Sequence, residues 1–297
     1  SIDAPTIYEV PFNMLREGLD IQVLKKLGIS AKGEPDLEKW KSFLYRLKNP
    51  LTEVNIGLVG KYVELKDAYK SISEAFIHAG AATQCKVKIK WIHSEKLEDN
   101  PDCIQEELQG LNGILVAPGF GSRGIEGKIM AVRYARENKI PFLGICLGMQ
   151  CAVIEFARNV LGYKDAHSVE MSASTTHPVI DIMEEQKLIQ NMGGTMRLGA
   201  YPCKLKENTK IYSAYQKENI SERHRHRYEF NNAYLEAFEQ AGMIASGINP
   251  DTNLVEVVEI PSHPYFVGVQ YHPEYRSTVV EPSPLFISFV KAASRKE

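Results

Sequence analysis

A chain of 297 residues, 44% of them hydrophobic, can bury a sizeable core as one large α/β domain or two small ones. Its formal net charge of −2 leaves no field to draw in nucleic acid or an anionic membrane, and no apolar run approaches the roughly 18 residues needed to span a bilayer. Five cysteines without paired spacing, and the lack of a signal-peptide pattern, point to a reducing, cytoplasmic setting.

The chain opens on Ser1, and its first residues read as mid-protein sequence, so a piece of a longer polypeptide is expected. Ile7-Tyr8-Glu9-Val10-Pro11 reads as extended, residues 14–27 have helical spacing, and residues 37–47 repeat apolar side chains at the helix period. Gly33-Glu34-Pro35 separates the two helical pieces. From residue 54 the pattern alternates, with strands expected over 54–59, 87–92, 113–116 and 142–145 and helices over 66–79, 124–137 and 147–160. Such alternation predicts an α/β fold with a mostly parallel central sheet flanked by helices on both faces. Further strand signals at 195–199, 224–230, 243–248, 254–260 and 265–270 add antiparallel strands, and a last helix over 284–293 should pack back on the sheet. No G-x-x-x-x-G-K-[ST] phosphate loop occurs.

Gly144-Ile145-Cys146-Leu147-Gly148 lies between the strand 142–145 and the helix 147–160. This is the form of a nucleophile elbow, in which small residues two before and two after the nucleophile let the chain turn sharply. Cys146 would then stand at the edge of the sheet near the positive end of a helix, which favours thiolate. The bland alternative is a buried cysteine acting as a small hydrophobe. His272-Pro273-Glu274 follows the apolar strand 265–270, so His272 would reach the same sheet edge and Glu274 could orient its ring. Together Cys146, His272 and Glu274 read as nucleophile, base and orienting carboxylate.

Gly-Ile-Cys-Leu-Gly-Met-Gln with a later His-Pro-Glu resembles the class I, or triad, glutamine amidotransferases, which hydrolyse glutamine to glutamate and ammonia. The stretches Gly57-Leu58-Val59-Gly60-Lys61-Tyr62, Gly193-Gly194-Thr195-Met196-Arg197-Leu198-Gly199 and Glu222-Arg223-His224-Arg225-His226-Arg227-Tyr228-Glu229 look like the glutaminase half of the CTP synthases. The resemblance implies that residues 1–50 are the tail of a synthetase domain and its linker, and that residues 51–297 form the amidotransferase domain. No metal or cofactor is expected in this part; ATP, Mg and a GTP effector are implied for the full-length enzyme. The implied partners are L-glutamine, the N-terminal synthetase domain and further copies in a tetramer. Neither nucleic acid nor membrane is among them. Rival readings are a glutaminase of GMP or carbamoyl-phosphate synthesis, and a silent regulatory module. The two long motifs speak against the former and the intact triad types against the latter.

Hydrolysis of a carboxamide passes through an oxyanion that fixed donors must meet. Elbow geometry makes Leu147 N–H one donor, and the glycine-rich stretch Ala117-Pro118-Gly119-Phe120-Gly121 should supply the second. Relatives usually read Pro-Gly-Gly-Phe-Gly here; in that register Pro118 has no N–H and Gly119 is the donor. Strand alternation puts Arg223, Arg225 and Arg227 on one face and the two histidines on the other. By motif position Arg227 holds the glutamine carboxylate, Glu170 receives the ammonium, and Phe120, Gly148, Met149, Gln150 and Tyr228 complete the pocket. Arg123 falls in the stretch linked to GTP activation. Lys61-Tyr62 are candidates for interdomain contacts, and Cys151 reads as packing.

Overall fold

The computed structural model describes residues 3–30, 33–182 and 196–295. Gly193, Gly194 and Thr195 of the second motif lie outside the described residues. Five strands form the expected parallel block: β1 (Thr52–Gly60), β2 (Cys85–His93), β3 (Gly113–Val116), β4 (Phe142–Ile145) and β12 (Phe266–Val269). They stand in the order β2-β1-β3-β4-β12. Four antiparallel neighbours continue the sheet: β11 (Val255–Glu259), β10 (Ile244–Ile248), β7 (Arg197–Leu205) and β8 (Asn219–His226). A separate three-stranded sheet joins β5 (His167–Ser168), β6 (Pro178–Ile182) and β9 (Tyr228–Phe230).

The strands of the parallel block are apolar on both faces because helices cover both. Ile114, Val116, Phe142 and Phe266 face a core shared with the helices Ile125–Glu137 and Leu147–Asn159. Leu58, Leu115, Leu143, Val267 and Val269 face the other core, shared with the helices Lys70–Thr83 and Pro284–Ala293. The continuous apolar runs 113–116 and 142–145 follow from this two-sided burial. Among the described residues, no helix is long and apolar enough to cross a membrane.

The N-terminal segment departs from expectation. Residues 7–11 are not extended: Thr6 accepts from Tyr8 N and caps a 3-10 turn, Ile7–Glu9, which runs into the helix Val10–Arg16 with Pro11 in its first turn. Proline is as compatible with a helix start as with an extended chain. The single helix expected over 14–27 is broken by Gly18, whose φ of 68° cannot continue a right-handed helix, so a second helix begins at Leu19. Tyr8, Phe43 and Leu44 pack on Ala81 and Val279, which docks this segment on the rest of the chain.

The strand expected over 224–230 is two strands in different sheets, parted at Arg227. Glu229 turns inward while Tyr228 pairs with Ile182. The strand expected from 195 starts at Arg197 and runs to Leu205 among the described residues. The helices Lys210–Tyr215 and Leu235–Ala241 are too short to show a period in the sequence.

Phe142 is fully buried and stacks on Phe266 at 4.4 Å. Phe142→Ala is expected to lower stability by about 3–5 kcal/mol, as read by urea unfolding.

Candidate active site

Cys146 joins β4 to the helix Leu147–Asn159 with φ 53° and ψ −104°, a conformation that costs a non-glycine residue about 1–3 kcal/mol. Two close approaches enforce it. A Cβ on Gly144 would lie 2.7 Å from Gly148 O, and one on Gly148 would lie 2.1 Å from Val116 O. Larger residues at either position would push the helix off the sheet. Cys146 is also the N-cap of this helix, where the helix dipole favours negative charge.

The sheet brings the partner residues to the sulfur. β4 and β12 are parallel neighbours with Ile145 beside Val269, and Cys146 N donates to Val269 O at 2.7 Å. The residues that follow β12 therefore run past Cys146. His272 N donates to Arg223 O at 2.8 Å, which ties it to β8. Pro273 opens a 3-10 turn that brings Glu274 back, and Glu274 Oε1 lies 2.8 Å from His272 Nδ1. Both residues are buried. Burial opposes charge on His272, but the hydrogen bonds and charges of Cys146 and Glu274 outweigh it and push its pKa up to about 11. The three residue types read from the sequence are thus one buried cluster.

Among the described residues, the N–H groups of Gly119 and Leu147 donate to no other group. A Cβ on Gly119 would lie 3.4 Å from the Leu147 side chain, so the two expected oxyanion donors are neighbours. Gln150 Nε2 donates to Tyr228 O at 3.0 Å and to Gln270 Oε1 at 3.3 Å. Glu170 Oε1 accepts from Gly121 N at 3.0 Å, which joins this carboxylate to the glycine loop. Arg227 is half-buried at the break between β8 and β9, and Arg223 and Arg225 are exposed on the opposite face from the buried His224 and His226. Phe120 is exposed; Arg123 pairs with Glu95 at 3.0 Å and lies over the Tyr62 ring.

The Met149 side chain is fully buried in the core against Gly268, and Gly148 packs on β3, so only the backbone of these two expected pocket residues is left to meet a ligand. Lys61 also departs from expectation: its side chain is turned inward onto the glycine loop. Gln270, 3.7 Å from Cys146 Sγ, went unread because a glutamine ending an apolar strand carries no signal of its own.

Behind His272 lies a buried charged cluster. Arg197 Nη2 is 2.7 Å from Glu256 Oε1, and its Nη1 is 3.4 Å from Glu229 Oε1. His224 Nδ1 and His226 Nε2 are 2.8 Å apart, and each imidazole faces one of the two carboxylates. Burial raises both carboxyls, Glu256 to about 7, while Arg197 pulls them down; burial also holds both imidazoles well below the ordinary histidine range. The conspicuous motif residues Arg197, His224 and His226 are this cluster.

The class-I glutamine amidotransferase family model matches residues 64–292. The chain belongs to this family. It is 65% identical over 99% of its length to a CTP synthase of Cytophaga hutchinsonii and 64% identical, again over 99%, to one of Flavobacterium psychrophilum. In both cases it spans about half, 54%, of the relative. Among solved structures it is similar to the glutaminase domain of Trypanosoma brucei CTPS with bound acivicin, at 41% identity and a TM-score of 0.77, covering 82% of this chain and 95% of that one.

The raised His272 pKa fixes the sign of a pH test. A group whose folded pKa lies above its unfolded one stabilises fully below the unfolded value, near 6.5, and loses that contribution as pH rises towards 11. Glu274→Gln removes one cause of the raised value. It should lower stability at pH 7 by about 1.5–3 kcal/mol, with the gap narrowing as urea unfolding is repeated up to pH 10.

Proposed function

We propose that the chain is the glutaminase part of a CTP synthase, hydrolysing L-glutamine through Cys146, His272 and Glu274. The observation that carries this reading is the strained elbow cysteine beside a buried His272–Glu274 pair, with two adjoining N–H donors that have no partner among the described residues. The Cys146 thiolate attacks the carboxamide carbon, a C–S bond forms, and the carbonyl electron pair moves to oxygen. Leu147 N–H and Gly119 N–H receive that charge. Collapse breaks the C–N bond as protonated His272 gives its proton to the leaving nitrogen, which departs as ammonia. The resulting thioester is attacked by a water that His272 deprotonates, and the C–S bond breaks to release glutamate. Glu274 holds the ring and stabilises the imidazolium.

Arg227 would bind the glutamine carboxylate, for which a guanidinium offers paired hydrogen bonds, and Glu170 the ammonium. Residues 1–50 would be the end of a synthetase domain and its linker, and the ammonia would serve ATP-dependent amination of UTP to CTP in the other half of the polypeptide. Identity of 65% to a CTP synthase across 99% of the chain supports this over a GMP or carbamoyl-phosphate glutaminase.

The Trypanosoma brucei domain was solved with acivicin, which makes that compound the probe of choice. Treatment should give one covalent adduct on Cys146 by peptide mass spectrometry, and Cys146→Ala should form none and release no glutamate from glutamine. Adduct formation at another cysteine would overturn the assignment. Arg227→Ala should raise the KM for glutamine roughly 10- to 100-fold, the equivalent of a charge-assisted hydrogen bond, while the rate of alkylation by iodoacetamide stays at the parent value.

A further inference from the structure

The loop that carries Gly119 is held by buried ammonium groups more than by its own packing, since Phe120 is 48% exposed. β1 ends at Gly60, where a Cβ would lie 2.5 Å from the Tyr69 hydroxyl, so the Tyr69 ring closes over the strand end. That hydroxyl accepts from Lys61 N at 3.1 Å. The Lys61 side chain is thereby turned inward, and its Nζ donates to Phe120 O and to Gly121 O, each at 2.6 Å. Lys128, fully buried, donates to Ala117 O at 2.6 Å. In a planar trans peptide the carbonyl and the following N–H point opposite ways. The Phe120–Gly121 peptide is therefore held at both ends, by Lys61 on its oxygen and Glu170 on its N–H. The Gly119 N–H is left unengaged among the described residues.

We propose that Lys61 is a positioning residue for the oxyanion hole: by binding the Phe120 and Gly121 carbonyls together it fixes the loop so that Gly119 N–H points at the developing oxyanion. The inference rests on the glutaminase reading above. A methionine at this position matches the length of lysine but leaves two carbonyls without a donor, so that Glu170 alone holds the Phe120–Gly121 peptide.

The test compares Lys61→Met, Lys61→Arg and the parent chain in glutamate release and in alkylation of Cys146 by iodoacetamide. Alkylation displaces iodide at a saturated carbon and creates no oxyanion. Lys61→Met should lower kcat roughly 10- to 100-fold with KM within about threefold and alkylation within about twofold of the parent. Lys61→Arg, which keeps charge and donors, should recover at least about threefold in kcat. If Lys61→Met melts early, Tyr69→Phe carries the same test, because it frees the Lys61 backbone and should lower kcat about three- to tenfold. An unchanged kcat, a rise in KM alone, or equal losses in turnover and alkylation would each overturn the proposal. A parent chain that releases no glutamate and takes no acivicin adduct would instead overturn the glutaminase reading, and this inference with it.

Discussion

Gly148 lies so close to β3 that a Cβ would stand 2.1 Å from Val116 O, and this contact sets the angle at which the elbow helix leaves β4. The same contact leaves Cys146 no relaxed conformation, since the chain must reverse within one residue to join strand to helix. Strain at the cysteine is therefore the consequence of tight packing on either side of it. The site inherits its order from that packing. The sulfur, the Leu147 N–H and the sheet edge keep fixed relations because the residues that define them belong to one rigid strand-turn-helix unit.

The second support is electrostatic. Arg197 sits between Glu229 and Glu256 in the interior, and His224 and His226 lie between the carboxylates and His272. Buried charges of this kind contribute little net stability compared with apolar packing, but removing one partner leaves another uncompensated. Such a cluster suits specification of geometry more than gain of stability. It locks β7, β8 and β11 in one arrangement, and β8 supplies the Arg223 carbonyl that anchors His272 and the Arg225 carbonyl 4.0 Å from Cys146 Sγ. The described residues of the two long motifs thus support His272 and Cys146 from behind.

The sequence misled where a residue has two structural uses. Pro11 fits a helix start as well as an extended chain, and Gly18 ends a helix without disturbing the apolar period around it. Arg227 interrupts a run that alternates well on both sides, so 224–230 read as one strand although its halves belong to different sheets. Met149 belongs to the elbow motif while its side chain lies in the core, because a helix turns its successive side chains about 100° apart.

What the sequence determined by itself is local chemistry and pattern. The alternation of apolar segments determined a parallel block covered on both faces, the Gly-x-Cys-x-Gly spacing determined a tight turn at a cysteine, and the alternation of arginine and histidine determined that Arg223 and Arg225 share one face and His224 and His226 the other. Only the tertiary structure decided the juxtapositions. Cys146 and Gln270 are neighbours because β4 pairs with β12, and Lys61 meets Phe120 because β1 pairs with β3. Strand order is set by how whole faces pack, a property of the complete chain that no local window contains. The direction of a long side chain such as Lys61 is decided later still, by a tyrosine ring that closes one route and carbonyl groups that reward the other.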